Sequence, residues 1–147
     1  MLKKLIPSNH KLLHEKIVKC SYNLDRGKLS YTLTENMFHH NGVGLSANQI
    51  GIKERAFVMI SDMESQETIT CFNPKIVKES KEIVTLEEGC LSFPDVYLEI
   101  ARPESIIVKY EDEGKESHKI ELTGFIARIF QHEYDHMEGI DFTERTK

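Results

Sequence analysis

The sequence predicts an α+β domain in which short, mostly antiparallel strands pack around a long C-terminal helix. Three observations predict this fold. Apolar residues at helical spacing come first, several short strand-like runs follow, and a second helical pattern comes last. The chain has no internal repeat and no low-complexity linker, so residues 1–147 are expected to form a single domain.

The first half of this pattern holds one helix and a glycine-rich segment. Residues 23–40 carry Leu29, Leu33 and Met37 at four-residue spacing, which predicts an amphipathic helix ending near residues 41–42. Residues 42–51, GVGLSANQIG, include three glycines and are expected to form a loop. Strand-like runs then occur at 55–60, 68–72, 76–80, 105–110 and 118–122. The last two flank the turn signal EDEG, so we expect them to pair as a hairpin.

The second helix is predicted over residues 123–138. Its apolar positions at helical spacing are Ile126, Ile129, Phe130 and Met137. Thr123 is a suitable N-cap, and Gly139 is a suitable C-terminal stop. The sequence therefore predicts a helix that packs one face against the sheet.

Composition limits the class of protein. The net charge of −5 argues mildly against tight, non-specific binding to nucleic acid or to anionic lipid, so no stable nucleic-acid or membrane partner is expected. Three cysteines, with no close pair, do not form a disulfide framework and suit a reducing compartment. Pro7 and Asn9 interrupt the N-terminal apolar run, and no apolar stretch is as long as a membrane span. The expected location is the cytoplasm.

The helix carries a metal-binding pattern, His-Glu-x-x-His, in the segment QHEYDH. His132 and His136 are four residues apart, so both imidazoles lie on one helix face and can reach one metal ion. Glu133 would lie close enough to polarise a metal-bound water and to take its proton. The alternative is a chance match, with two solvated histidines on a surface helix.

A metal site requires a third ligand, and the two positions from which metalloproteases with this motif commonly supply it are not available here. Only 11 residues follow His136, and Glu144 is the sole glutamate beyond the helix. Phe142 stands where the extended protease motif needs a third histidine. Among upstream candidates Cys90, in EEGCLSFP, is the strongest, because a thiolate is a good ligand for divalent iron or zinc. Cys20 and Cys71 are expected to be ordinary buried cysteines.

Three segments together resemble the peptide deformylase family. They are GVGLSANQIG, EGCLSFP and QHEYDHMEG, they occur in the family's order, and they span residues 42–139, about two-thirds of the chain. The resemblance implies that Glu133 is the general base and acid. It implies an oxyanion hole formed by the Gln49 side chain and the Leu91 backbone N–H. The metal ligands that it implies are Cys90, His132 and His136.

The same resemblance implies where a substrate lies. An extended peptide would pair with the backbone at Val43 and Gly44. The remaining substrate contacts expected from it are Gly89, Arg128 and Ile129. For Arg128 a surface ion pair is an equally good interpretation. Glu88 is expected to anchor the segment that holds Cys90, through Arg102 or Arg128.

The activity that the resemblance implies is hydrolysis of the N-formyl group of N-formyl-methionyl nascent peptides, with release of formate. It implies one divalent metal ion, Fe²⁺ first, with Zn²⁺, Ni²⁺ or Co²⁺ as substitutes. Family members commonly carry a further C-terminal helix that is thought to assist ribosome contact. The sequence stops eight residues after Gly139, so no such helix is expected. We expect at most a transient contact with the ribosome. An organelle or a host cell's cytoplasm is also compatible as the location.

Two other functions remain open from the sequence. The first is a metallopeptidase, against which the missing downstream ligand argues. The second is a metal-binding or interaction module without catalysis, although no expected catalytic position is missing. A structural zinc site would need a fourth protein ligand, and the motifs offer three.

Overall fold

The computed structural model describes residues 1–146, and Lys147 lies outside them. Two α-helices are present, α1 (Arg26–His39) and α2 (Gly124–Met137). The seven strands are β1 (Gly44–Ser46), β2 (Ala56–Asp62), β3 (Glu67–Glu79), β4 (Ile83–Cys90), β5 (Phe93–Pro103), β6 (Ser105–Glu111) and β7 (Ser117–Thr123). Short 3₁₀ helices span Lys11–His14, Ala47–Ile50 and Phe142–Arg145.

A five-stranded antiparallel sheet, in the order β1-β2-β3-β6-β7, separates the two helices. Strand β2 shows why both faces of the sheet are covered, because successive side chains point to opposite faces. Val58 and Ile60 belong to the apolar cluster that includes α1. Phe57 and Met59 belong to the cluster that includes α2. The predicted α+β fold is confirmed.

The predicted hairpin is also confirmed. Strands β6 and β7 pair in register from Ser105 opposite Thr123 to Glu111 opposite Ser117. The second helix begins and ends as predicted, with Thr123 as its N-cap residue, although the threonine side chain makes no capping hydrogen bond. Gly139 follows the helix at φ +75°, the left-handed conformation that glycine adopts readily. No helix among residues 1–146 is long and apolar enough to cross a membrane.

The glycine-rich segment is more ordered than its composition indicates. We expected residues 42–51 to form a loop, but Gly44–Ser46 pair with β2 and Ala47–Ile50 form a 3₁₀ helix. Glycines disfavour a strand locally, but pairing with the buried β2 overrides that preference. Similarly, the runs at 68–72 and 76–80 are one strand, β3, with an irregular register near Asn73 (φ +51°).

A second hairpin, β4–β5, was not predicted from the sequence. It forms a separate two-stranded sheet, with Ile83 opposite Pro103 and Gly89 opposite Tyr97. Most of its side chains are exposed or half-buried, so it lacks the alternation of apolar and polar residues that marks a half-buried strand. This hairpin delivers Cys90, the last residue of β4, to the face of α2.

Candidate metal centre

The helix α2 presents two imidazoles side by side. The rings of His132 and His136 meet edge to face, with centroids 5.2 Å apart, as their spacing on one helix face requires. Cys90 approaches from the end of β4, and its Sγ lies 3.5 Å from Nε2 of His136. One ligand atom from each of these three residues lies within 4.8 Å of the other two. The three side chains can therefore bind one metal ion together.

A buried carboxylate orients the outer imidazole. Nδ1 of His132 lies 3.0 Å from Oε1 of Glu88. In the neutral form of His132 that can bind a metal, the proton stays on Nδ1, which donates a hydrogen bond to this carboxylate, and Nε2 faces the thiol. Burial acts to raise the pKa of Glu88, but its hydrogen bonds to His132 and to the neighbouring arginines outweigh burial and hold that pKa well below its usual range. Glu88 therefore stays charged and keeps accepting the hydrogen bond from the imidazole N–H.

The two histidines differ in their affinity for protons. Burial lowers the pKa of His132, but hydrogen bonds with Cys90 and Glu88 outweigh burial and raise that pKa to about 10. Burial, together with the charge on His132, lowers the pKa of His136 well below its ordinary value. His136 is therefore neutral, and a neutral imidazole is the form that binds a metal.

Glu88 is itself held by two buried arginines. Arg102 donates to both of its oxygens, at 2.6 and 3.0 Å, and Arg128 donates to Oε2 at 2.7 Å. Arg128 also donates to the backbone carbonyls of Ile100 and Val84. The expectation that Glu88 is anchored through Arg102 or Arg128 thus understates the geometry, because both arginines bind it. The surface ion pair considered for Arg128 is wrong, since only 5% of this residue is exposed.

Glu133 lies beside the metal-binding group without belonging to it. Its side chain is buried, and Oε1 has no hydrogen-bond partner within residues 1–146. Burial raises the pKa of Glu133 to about 7. An unpartnered buried carboxylate is costly, so this oxygen is placed to accept a hydrogen bond from a water molecule or a substrate.

Gln49 points its amide nitrogen at the same space. Its Oε1 accepts a hydrogen bond from the backbone N–H of Ser46 at 3.0 Å, which fixes the orientation of the amide. Its Nε2 then donates to the hydroxyl of Ser92 at 2.9 Å and lies 3.7 Å from Sγ of Cys90. The second N–H of this amide makes only this long contact to the sulfur, so it lies close to any substrate atom that approaches the thiol.

These groups open into a cavity of about 540 Å³. The expected substrate contacts that line it are Val43, Gly44, Gly89, Arg128 and Ile129. Gln49, Cys90, Leu91, His132 and Glu133 line it too, whereas His136 is buried behind them.

Two further residues that line the same cavity, Phe125 and Tyr97, were not predicted from the sequence. Phe125 could have been found, because it precedes Ile129 by four residues on one helix face. Tyr97 could not, because the β4–β5 hairpin was not predicted.

The residues present fit a divalent metal ion. One thiol and two imidazoles are ligands that iron, zinc, nickel and cobalt all accept. The acceptor that fixes the His132 ring is typical of protein metal sites. No fourth protein ligand joins the group among the described residues, so a coordination position is left for water or substrate.

Comparison with known proteins points to one family. The family described as "Polypeptide deformylase" matches residues 2–147. The chain is 43% identical to the peptide deformylase of Thermotoga neapolitana over 115 residues, which cover 78% of the chain and 68% of the relative. It is also 43% identical to that of Thermotoga maritima over 113 residues, 77% and 67% of the two chains.

Solved structures of the same family have the same fold. The peptide deformylase of Thermotoga maritima superposes with a TM-score of 0.91 at 35% identity, covering 100% of this chain and 99% of that one. The class I type b peptide deformylase of Acinetobacter baumannii, solved with Met-Ala-Ser bound, gives a TM-score of 0.91 at 31% identity, covering 99% and 98%.

Proposed function

Because the chain belongs to the polypeptide deformylase family, whose members are hydrolases that remove the N-formyl group from nascent peptides, we propose that its activity resides in the cavity beside Cys90. The substrate is an N-formyl-methionyl peptide, and the products are formate and the free amino terminus. One structural observation supports this proposal more than any other. A thiol and two imidazoles converge within 4.8 Å, next to a buried carboxylate oxygen without a partner.

Cys90, His132 and His136 would hold the metal ion. When bound, the metal supplies a Lewis acid that lowers the pKa of water and polarises a carbonyl. We propose Fe²⁺ as the native ion, with Zn²⁺, Ni²⁺ and Co²⁺ as functional substitutes, because a thiolate and two imidazoles suit each of them. A ferrous thiolate site predicts sensitivity to oxygen.

Glu133 moves the proton. Its Oε1 accepts the proton of the attacking water and then delivers it to the nitrogen of the leaving amine. A pKa of about 7 suits both halves of this task, because the carboxylate can take and release a proton near neutral pH. Burial, the cause of that pKa, also keeps bulk water from competing for the proton.

Gln49 and the backbone N–H of Leu91 stabilise the developing oxyanion. Attack on the formyl carbon places negative charge on its oxygen, and fixed donors aimed at that position lower the barrier. The hydrogen bond from Ser46 fixes the Gln49 amide before substrate arrives, so no reorganisation is needed. Leu91 lies in the turn between β4 and β5, next to Cys90, and lines the cavity.

The peptide would add a strand to the sheet. β1 is an edge strand, bonded to β2 on one side only, so the backbone at Val43 and Gly44 offers a second edge for an extended chain. The methionine side chain would enter the cavity beside Ile129 and Gly89. The Met-Ala-Ser complex of the Acinetobacter baumannii relative supports a methionyl peptide as the ligand. Transient ribosome contact and a cytoplasmic location remain predictions.

The decisive experiment is an anaerobic assay of Fe²⁺-loaded protein on a short formyl-Met peptide. Free formate should appear together with the deformylated peptide. Fragments cut within the peptide chain would instead establish a metallopeptidase, and neither product would establish a metal-binding module. The Cys90→Ala variant adds a test of the ligand set. Full turnover and unchanged metal stoichiometry in that variant would contradict the proposed centre.

A further inference from the structure

Asp135 is a buried carboxylate on α2 that faces away from the cavity described above. Only 4% of this residue is exposed. Arg145 binds both of its oxygens, with Nη2 at 2.7 Å from Oδ1 and Nε at 3.0 Å from Oδ2. Arg102 donates to Oδ2 from the other side at 2.9 Å. Asp135 therefore joins an arginine near the C-terminus to an arginine of β5.

Arg102 connects Asp135 to the metal centre. The same guanidinium that binds Asp135 through Nη1 binds Glu88 through Nε and Nη2. Glu88 in turn accepts a hydrogen bond from Nδ1–H of His132. Hydrogen bonds of 2.6 to 3.0 Å thus run without interruption from Arg145 to a metal-binding imidazole.

The 3₁₀ helix that carries Arg145 also touches His132 directly. Phe142, its first residue, is buried, and its ring meets that of His132 at a centroid distance of 5.8 Å. A capping box holds this short helix, with Asp141 and Glu144 each accepting a backbone N–H of the other. The segment Phe142–Arg145 therefore contacts α2 at two points, through Phe142 on His132 and through Arg145 on Asp135.

We propose that Arg145 is a positioning residue for His132 and acts through Asp135, Arg102 and Glu88. The inference rests on the proposed metal site. Two buried carboxylates, Glu88 and Asp135, share the single guanidinium of Arg102. While Arg145 neutralises Asp135, Arg102 can give two of its three hydrogen bonds to Glu88. Without Arg145, the buried charge of Asp135 depends on Arg102 alone and draws it away from Glu88.

The consequence should appear in metal retention more than in global stability. The Arg145 side chain is 45% exposed, and a half-exposed ion pair contributes little to the free energy of unfolding. The orientation of His132, in contrast, depends on the hydrogen bond that its Nδ1–H donates to Glu88. If the hydrogen bond between Glu88 and His132 weakens, the imidazole is less well oriented and the metal ion dissociates faster.

The test measures release of Ni²⁺ from the loaded protein into excess chelator. We expect Arg145→Ala to release the metal on the order of 5-fold faster than the unmodified protein, less than the 10–100-fold typical when a direct partner of a metal ligand is lost. Arg145→Lys should restore part of the difference, because an ammonium keeps the charge but not the paired geometry. Co²⁺-loaded Arg145→Ala should also show shifted visible absorption bands, because these report ligand geometry.

Glu144→Ala is the matched control, because it weakens the same 3₁₀ helix without touching Asp135. Its release rate and Co²⁺ spectrum should match those of the unmodified protein. Equal release rates in Arg145→Ala and the unmodified protein would overturn the inference, and so would equal acceleration by Glu144→Ala. Failure of the unmodified protein to bind one Ni²⁺ per chain would instead overturn the proposed metal site.

Discussion

Gly44 and Glu133 lie so close together that a Cβ atom on Gly44 would stand 2.7 Å from Oε2 of Glu133. The glycine lets the carboxylate of α2 come to rest directly against the backbone of β1. Since β1 is also the edge to which we expect the peptide to bind, we expect this contact to hold the proposed proton carrier at the scissile bond. We therefore expect a side chain at position 44 to affect catalysis more than stability.

Gly44→Ala should lower kcat on the order of 100-fold with little change in the unfolding temperature. The added Cβ meets the far end of a side chain, which can move, so the fold survives while Glu133 is displaced. Formate release and thermal unfolding measure the two effects. Gly27→Ala is the control, because an added Cβ on that exposed helical glycine would meet its neighbours only at the ordinary contact distances of 3.8 and 3.9 Å, and the change should stabilise by about 0.5–1 kcal/mol at full activity. A normal kcat in Gly44→Ala would contradict the assignment.

Glu133→Gln should keep one metal ion per chain and lose activity by about 10²–10⁴-fold. The amide has nearly the same size as the carboxylate but cannot carry the proton. Because Oε1 of Glu133 is buried without a partner, removing its charge should leave the unfolding temperature equal or higher. Metal analysis, formate release and thermal unfolding check the three statements. Loss of the metal together with activity would make Glu133 a ligand instead.

Glu87 and Glu99 face each other directly across β4 and β5, and like charges in that position repel. Replacing Glu99 with threonine should therefore stabilise the protein by about 0.2–1 kcal/mol, measured by urea unfolding. The gain should shrink at high salt, which screens the repulsion between exposed charges. Glu121→Thr is a matched control, because Glu121 lies opposite Ile107. The same gain in both variants would show that strand propensity, not charge, is responsible.

Local patterns in the sequence predicted two of the three candidate metal ligands directly. Two histidines four residues apart must share a helix face, so the relation between His132 and His136 follows from helix geometry alone. The position of Cys90 depends on the β4–β5 hairpin, which lies outside the main sheet and exposes most of its side chains. The ligand chemistry of a thiolate and the family resemblance of the EGCLSFP segment both indicated Cys90, but no local pattern predicted where it lies.

The ion pairs that link Glu88 and Asp135 through Arg102, in contrast, could not be predicted from a local pattern in the sequence. Arg102, Glu88, Asp135 and Arg145 come from β5, β4, α2 and the last 3₁₀ helix, and nothing in their spacing predicts that they meet. Charged residues are usually solvated, so exposure is the better expectation for each of them from sequence. The burial of Arg102, Glu88 and Asp135 follows from packing the hairpin against α2, a tertiary event without a local pattern, whereas Arg145 stays half-exposed.

Cys71 predicts how stability changes at alkaline pH. Burial in the core beside α2 raises the pKa of its thiol far above the value of about 8.5 in an unfolded chain. The native state therefore keeps the proton while the unfolded state releases it. The stabilisation is fully present below about pH 8.5 and declines as pH rises above that value, at about 1.4 kcal/mol per pH unit.

Cys71→Ala should remove that dependence while lowering stability at every pH through the cavity that it leaves. Between about pH 7.5 and about pH 10 we expect the unmodified protein to lose about 2 kcal/mol more of its unfolding free energy than the variant, in urea titrations under reducing conditions. Val108→Ala truncates a buried side chain of the same core without a titrating group, so it should keep the full alkaline decline. An unchanged alkaline slope in Cys71→Ala would mean that the thiol ionises as easily in the folded chain as in the unfolded one. The buried, neutral state assigned to Cys71 would then be wrong.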